Sequence, residues 1–95
     1  MVALRPRAIV EVPAEVRDGQ ILPAKNIYLP EKTIDICLNQ CKVSEMTAKA
    51  AVEGNRRLAL EIIGIDNAIT NKAAAERALD KMVTAHSDIL PQFQK

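Results

Sequence analysis

Four of the five prolines fall within the first thirty positions, at Pro6, Pro13, Pro23 and Pro30, and the fifth is Pro91. Proline has no N–H to donate and its ring collides with the carbonyl one turn back, so no helix of ordinary length fits before position 31. From 31 to 90 the chain has no proline and is dominated by Ala, Leu, Glu, Lys and Arg, all good helix formers. This asymmetry divides one domain into an extended arm (1–30), a helical region (31–91) and a short tail (92–95).

Inside the arm, RAIVEV at 7–12 is rich in β-branched residues and QILPAKNIYL at 20–29 sets apolar groups around Pro23. Asp18-Gly19, between Val16 and Ile21, is a dipeptide that closes hairpins. The expectation is a small hairpin of edge quality, because proline cannot donate to a ladder. A two-stranded ribbon is marginal alone, so the arm must lie on the helices or on another subunit.

Pro30 suits a first turn, and Glu31 complements the positive end of the helix dipole. Ser44 and Asn71 are candidate caps, Gly54 and Gly64 are weak points, and Pro91 is a stop. These signals predict helices over about 31–42, 45–63 and 68–90, the last two folded back as an antiparallel hairpin. The fold class is α+β to mostly α.

Steps of four and three from Leu58 meet Leu58, Ile62, Ile65, Ile69, Lys72, Glu76, Leu79, Val83, His86 and Leu90, seven of which are aliphatic. The pattern fails at Lys72 and Glu76, which leaves one long interrupted helix or two helices reversed near residues 65–71. Asp66, Asn67 and Asn71 favour the reversal. A chain of 95 residues buries a modest fraction of its surface. The aliphatic seam is therefore expected to be shared with a second copy of the chain or with another protein. Tyr28 and Phe93 are the only rings, so the core must be aliphatic.

A net charge of +1 provides no field to draw the chain to nucleic acid or an anionic membrane. No apolar run approaches the roughly 20 residues that span a bilayer, and no signal-type stretch opens the chain. The expected location is the cytoplasm, where Cys37 and Cys41 in CLNQC stay reduced. Four apart on a helix, they share a face with Ile34 and Leu38 and read as small apolar residues of that face. A zinc site wants four ligands and the one histidine is distant in sequence, so neither a metal nor a cofactor is expected.

The stretch 34–53, IDICLNQCKVSEMTAKAAVE, resembles a helix-turn-helix unit. Val43-Ser44 with Thr47 matches the opening of a second helix, and Cys37, Cys41, Ala48 and Ala51 fall at packed positions. The resemblance implies a DNA-binding regulator reading through Thr47, Lys49, Arg56 and Arg57, helped by Arg5 and Arg7 on the arm. Glu45 and Glu53 on the same helix would oppose phosphate, which makes this the alternative reading.

No catalytic residue is nominated. His86-Ser87-Asp88 are neighbours whose side chains diverge on a helix, so they cannot form a relay, and three scattered glycines make no phosphate loop. Ala48, Ala50, Ala51 and Gly54, then Ala73, Ala74, Ala75 and Ala78, either permit close helix approach or simply favour helix. The sequence thus predicts a non-catalytic assembly protein that homo-oligomerises through Leu58, Ile62, Ile65, Ile69, Leu79, Val83 and Leu90.

Overall fold

The computed structural model describes residues 7–94. Arg5, one of the two arm bases, and Lys95 of the tail lie outside them. The chain divides into two compact units, Met1–Cys41 and Lys42–Lys95, with the boundary inside the first helix.

In the first unit, β1 (Ala14–Arg17) and β2 (Gln20–Pro23) form an antiparallel hairpin in the register Ala14↔Pro23, Glu15↔Leu22, Val16↔Ile21, Arg17↔Gln20. Asp18 and Gly19 have φ of 51° and 75°, the double left-handed geometry of a two-residue turn matched to strand twist. Ala24 N donates to Pro13 O at 2.8 Å. Because bonded and non-bonded pairs alternate, Glu15↔Leu22 and Arg17↔Gln20 also carry ladder bonds, while Ala14↔Pro23 and Val16↔Ile21 turn their backbone groups outward. Pro23 therefore sits where no N–H is needed. The RAIVEV run at 7–12 is not a strand. Among the described residues the first strand begins only after Pro13.

The helix α1 (Glu31–Glu53) starts immediately after Pro30, whose carbonyl accepts from the Thr33 amide at 2.9 Å and from Thr33 Oγ1 at 2.8 Å. It runs straight through residues 42–45, where the sequence predicted one helix to end and another to begin. Ser44 costs a helix interior only a few tenths of a kcal/mol, whereas a break would require a second, unfavourable nucleation. Val43, 8% exposed, anchors the helix at that point.

α1 ends at Gly54, with φ +65°. Asn55 N donates to Ala50 O at 3.0 Å, the six-to-one bond of a Schellman end. Asn55 then caps α2 (Arg56–Ile65), its Oδ1 accepting from Leu58 N at 3.0 Å. One glycine and one asparagine thus make the whole corner, and the helix expected over 45–63 is divided between α1 and α2.

Asp66 Oδ1 accepts from Ala68 N at 3.0 Å in the following loop, and Asn71 Oδ1 accepts from Ala74 N at 2.9 Å to cap α3 (Lys72–Ala85). The seam is therefore two helices that meet as a hairpin, α2 against α3. α3 is shorter than the predicted 68–90 at both ends. Asn71 sets its start, and it stops at His86 (φ −108°, ψ 27°), because His-Ser-Asp has little helix preference to carry it on to Pro91. Pro91 instead opens a 3-10 turn, Pro91–Gln94. This turn lies against the end of α1, where Gln92 Nε2 donates to Ala51 O at 2.9 Å.

Candidate functional site

All seven seam residues, Leu58, Ile62, Ile65, Ile69, Leu79, Val83 and Leu90, are half-buried. Their spacing explains this. Leu58, Ile62 and Ile65 share one face of α2, and Leu79 and Val83 share one face of α3. Met82, one residue away on the neighbouring stripe of α3, is 62% exposed, as are Val52 (83%) and Ile89 (68%) in the same unit. Among the described residues only Val43 and Ala50 are buried, although 48% of the chain is hydrophobic. The small-residue strip splits accordingly: Ala50 is buried, Ala74 and Ala75 are half-buried, and Ala48, Ala51, Ala73 and Ala78 face solvent.

The polar edge of the helical hairpin is an ion-pair clasp. Arg56 Nε and Nη2 donate to Asp80 Oδ1 (3.0 Å) and Oδ2 (3.1 Å), and Nη2 reaches Glu76 Oε1 at 3.5 Å. The hydrogen bond from Arg56 holds the Asp80 carboxyl below its ordinary range, and the bond to Asp80, with its charge, raises the guanidinium. All three side chains are about half exposed, so water screens the clasp, and its two-toothed geometry aligns the helices more than it stabilises them.

Of the residues nominated for DNA, Arg56 is thus held by α3, and Arg57 Nε lies 3.9 Å from Glu61 Oε1. Thr47 Oγ1 donates to Val43 O at 2.7 Å within α1, and Lys49 is exposed on the same helix. The helix-turn-helix resemblance is corrected here. Residues 34–53 form one unbroken helix, and without a turn the second helix of that motif does not exist. Lys42, where the motif favours glycine, gives the backbone no reason to leave helical geometry.

Cys37 and Cys41 are free thiols, both half-buried on α1. Among the described residues no group of three His, Cys, Asp or Glu is placed to hold a metal ion. The open hollows among the described residues include one on α3 at Asp80, Lys81, Thr84 and Ala85, and one across the base of the hairpin at Pro13, Ala14, Glu15, Leu22, Pro23 and Ala24. No described helix is long and apolar enough to cross a membrane.

Sequence reasoning missed Asn55, Gln92 and the acidic pair on α3. Gly54-Asn55 carried a readable signal, since a left-handed end followed directly by a capping side chain joins two helices. Nothing in local spacing ties Arg56 to Asp80 or Gln92 to Ala51.

A hairpin followed by three helices, with few of its aliphatic side chains fully buried among the described residues, defines an α+β to mostly α chain. The family model described as the Family 4 glycosyl hydrolase C-terminal domain matches residues 2–69, and the chain belongs to that family. The matched span includes the hairpin, α1 and α2 and ends before α3. The relationship ties the chain to a domain of enzymes, which composition and spacing did not suggest. Neither a curated protein nor a solved structure matches it.

Proposed function

We propose that the chain is a packing module of a family 4 glycosyl hydrolase, supplying helical surface to an assembly of its own copies and no reacting group. The observation that carries this reading is the shortage of core: among the described residues two are buried, beneath an aliphatic seam left half open and the exposed Val52, Met82 and Ile89. Large aliphatic side chains left this exposed support an association face.

Family 4 glycosyl hydrolases depart from the two-carboxylate scheme and depend on NAD. A dinucleotide cradle needs a glycine-rich turn between a strand and a helix. Here the three glycines serve a hairpin turn, a helix end and a helix interior, so these residues do not fit that group.

Sedimentation equilibrium of the chain across a wide concentration range tests the assembly. The expected result is a dimer or larger particle, weakened by Met82→Lys with unchanged helix content. An ideal monomer throughout, or a variant that assembles like the parent, refutes it.

A further inference from the structure

The hairpin has one face of each character. Glu15, Arg17, Gln20 and Leu22 lie on one side, and Ala14, Val16, Ile21 and Pro23 on the other, where Val16 and Ile21 are each 75% exposed. The two outer edges also differ. Ala14 and Val16 direct both N–H and C=O outward from β1, whereas β2 offers Ile21 and a Pro23 that lacks the donor. Among the described residues the ribbon therefore has one open edge, β1, and one partly blocked edge, β2.

We propose that β1 is the pairing edge for β1 of a second copy, joining two hairpins into a four-stranded antiparallel sheet about a two-fold axis at Val16. This surface is distinct from the helical faces and does not depend on them. The outward backbone groups allow Val16 to oppose Val16 of the other copy as a bonded pair, which sets Glu15 opposite Arg17 of the other copy, and by symmetry Arg17 opposite its Glu15. Within one hairpin Arg17 Nη2 donates to Glu15 Oε1, and in the paired sheet the same two exposed side chains also face opposite charges of the other copy, on either side of Val16.

A shift of the axis by one residue to Glu15 would place two glutamates face to face. Sequence charge therefore selects the Val16 register over its neighbour. In the selected register Ile21, Val16 and their symmetry mates form one aliphatic row across four strands. Two strands become four, past the size at which a sheet with an apolar face is stable.

The test is dimerisation of the full chain measured by sedimentation, together with amide hydrogen exchange at Val16. Arg17→Glu turns both facing pairs repulsive and should weaken dimerisation about tenfold. Adding Glu15→Arg restores opposite charges and should return it to within about threefold of the parent. The Val16 amide, unbonded in a single hairpin, should become slow to exchange as protein concentration rises. A silent Arg17→Glu, an unrestored double variant, a Val16 amide that exchanges freely at every concentration, or a monomeric chain each overturns the proposal. Loss of assembly on Met82→Lys with the hairpin series silent would remove this sheet and leave the helical reading standing, and the converse result would do the opposite.

Discussion

Replacing Gly54 by alanine should be among the most damaging single-atom additions to this chain. Gly54 has φ +65°, a conformation that costs an L-residue with a Cβ about 1–2 kcal/mol. The added carbon would also fall far inside van der Waals contact with the carbonyl oxygen and carbon of Gln92, and 2.8 Å from its Cβ. The obstacle is backbone, so relief requires moving the Pro91–Gln94 turn off the end of α1, with loss of the Gln92–Ala51 hydrogen bond. That bond contributes about 1 kcal/mol. Together the two effects come to about 2–3 kcal/mol, or a fall in thermal midpoint of about 10–20 °C for a unit of this size. Thermal unfolding followed by helix circular dichroism at fixed protein concentration measures it. The two causes separate in a chain ended at Leu90, where alanine should cost only the backbone part, about 1–2 kcal/mol. If Gly54→Ala matched the parent in stability, or cost as much without the terminal turn as with it, the close approach of Gln92 would be refuted.

Asn55→Ala and Asn71→Ala each remove an N-cap and should each cost about 1 kcal/mol by the same unfolding assay, with effects that add because the caps serve different helices. Equal stability of either variant would contradict its cap. The Asp80 carboxyl is held low by Arg56, so its contribution is present above its unfolded value near pH 4 and lost as pH falls through the lowered folded value. Asp80→Asn should therefore flatten stability against pH below about 4 and leave no extra slope near neutrality; an unchanged acid limb would show that the clasp is open in solution.

Much of the architecture was legible because it is decided by residues acting on their own backbone. The step from arm to helix between Pro30 and Glu31, the Asp18-Gly19 turn and the Asn71 cap all follow from chain chemistry within a few positions. Ser44 misled for the opposite reason. A capping side chain signals a helix start only where the preceding helix has cause to stop, and residues 42–45 hold no glycine or proline to stop it. Gly54 read as a weak point without revealing why it must be glycine, since Gln92, the group that would meet its Cβ, is remote in sequence. Arg56 read as a free base because its acidic partners lie on another helix.

The seam shows where such reading reaches its limit. Periodicity identifies which side chains avoid water, but it is blind to whether the covering surface belongs to the same chain. Leu58, Ile62 and Ile65 are half-buried on α2, which packs against α3, so part of the stripe assigned to a partner is used within the helical hairpin, while Met82, Val52 and Ile89 stay exposed. The same division governs the arm, where Val16 and Ile21 face each other across the strands yet each stays 75% exposed. A helical face can tolerate such exposure, because its backbone bonds close within the helix. A ribbon edge cannot do so to the same degree, because its outward N–H and C=O groups need water or another strand. Of the two surfaces, the hairpin edge therefore constrains its partner more tightly, in register and in charge, than the helical face can.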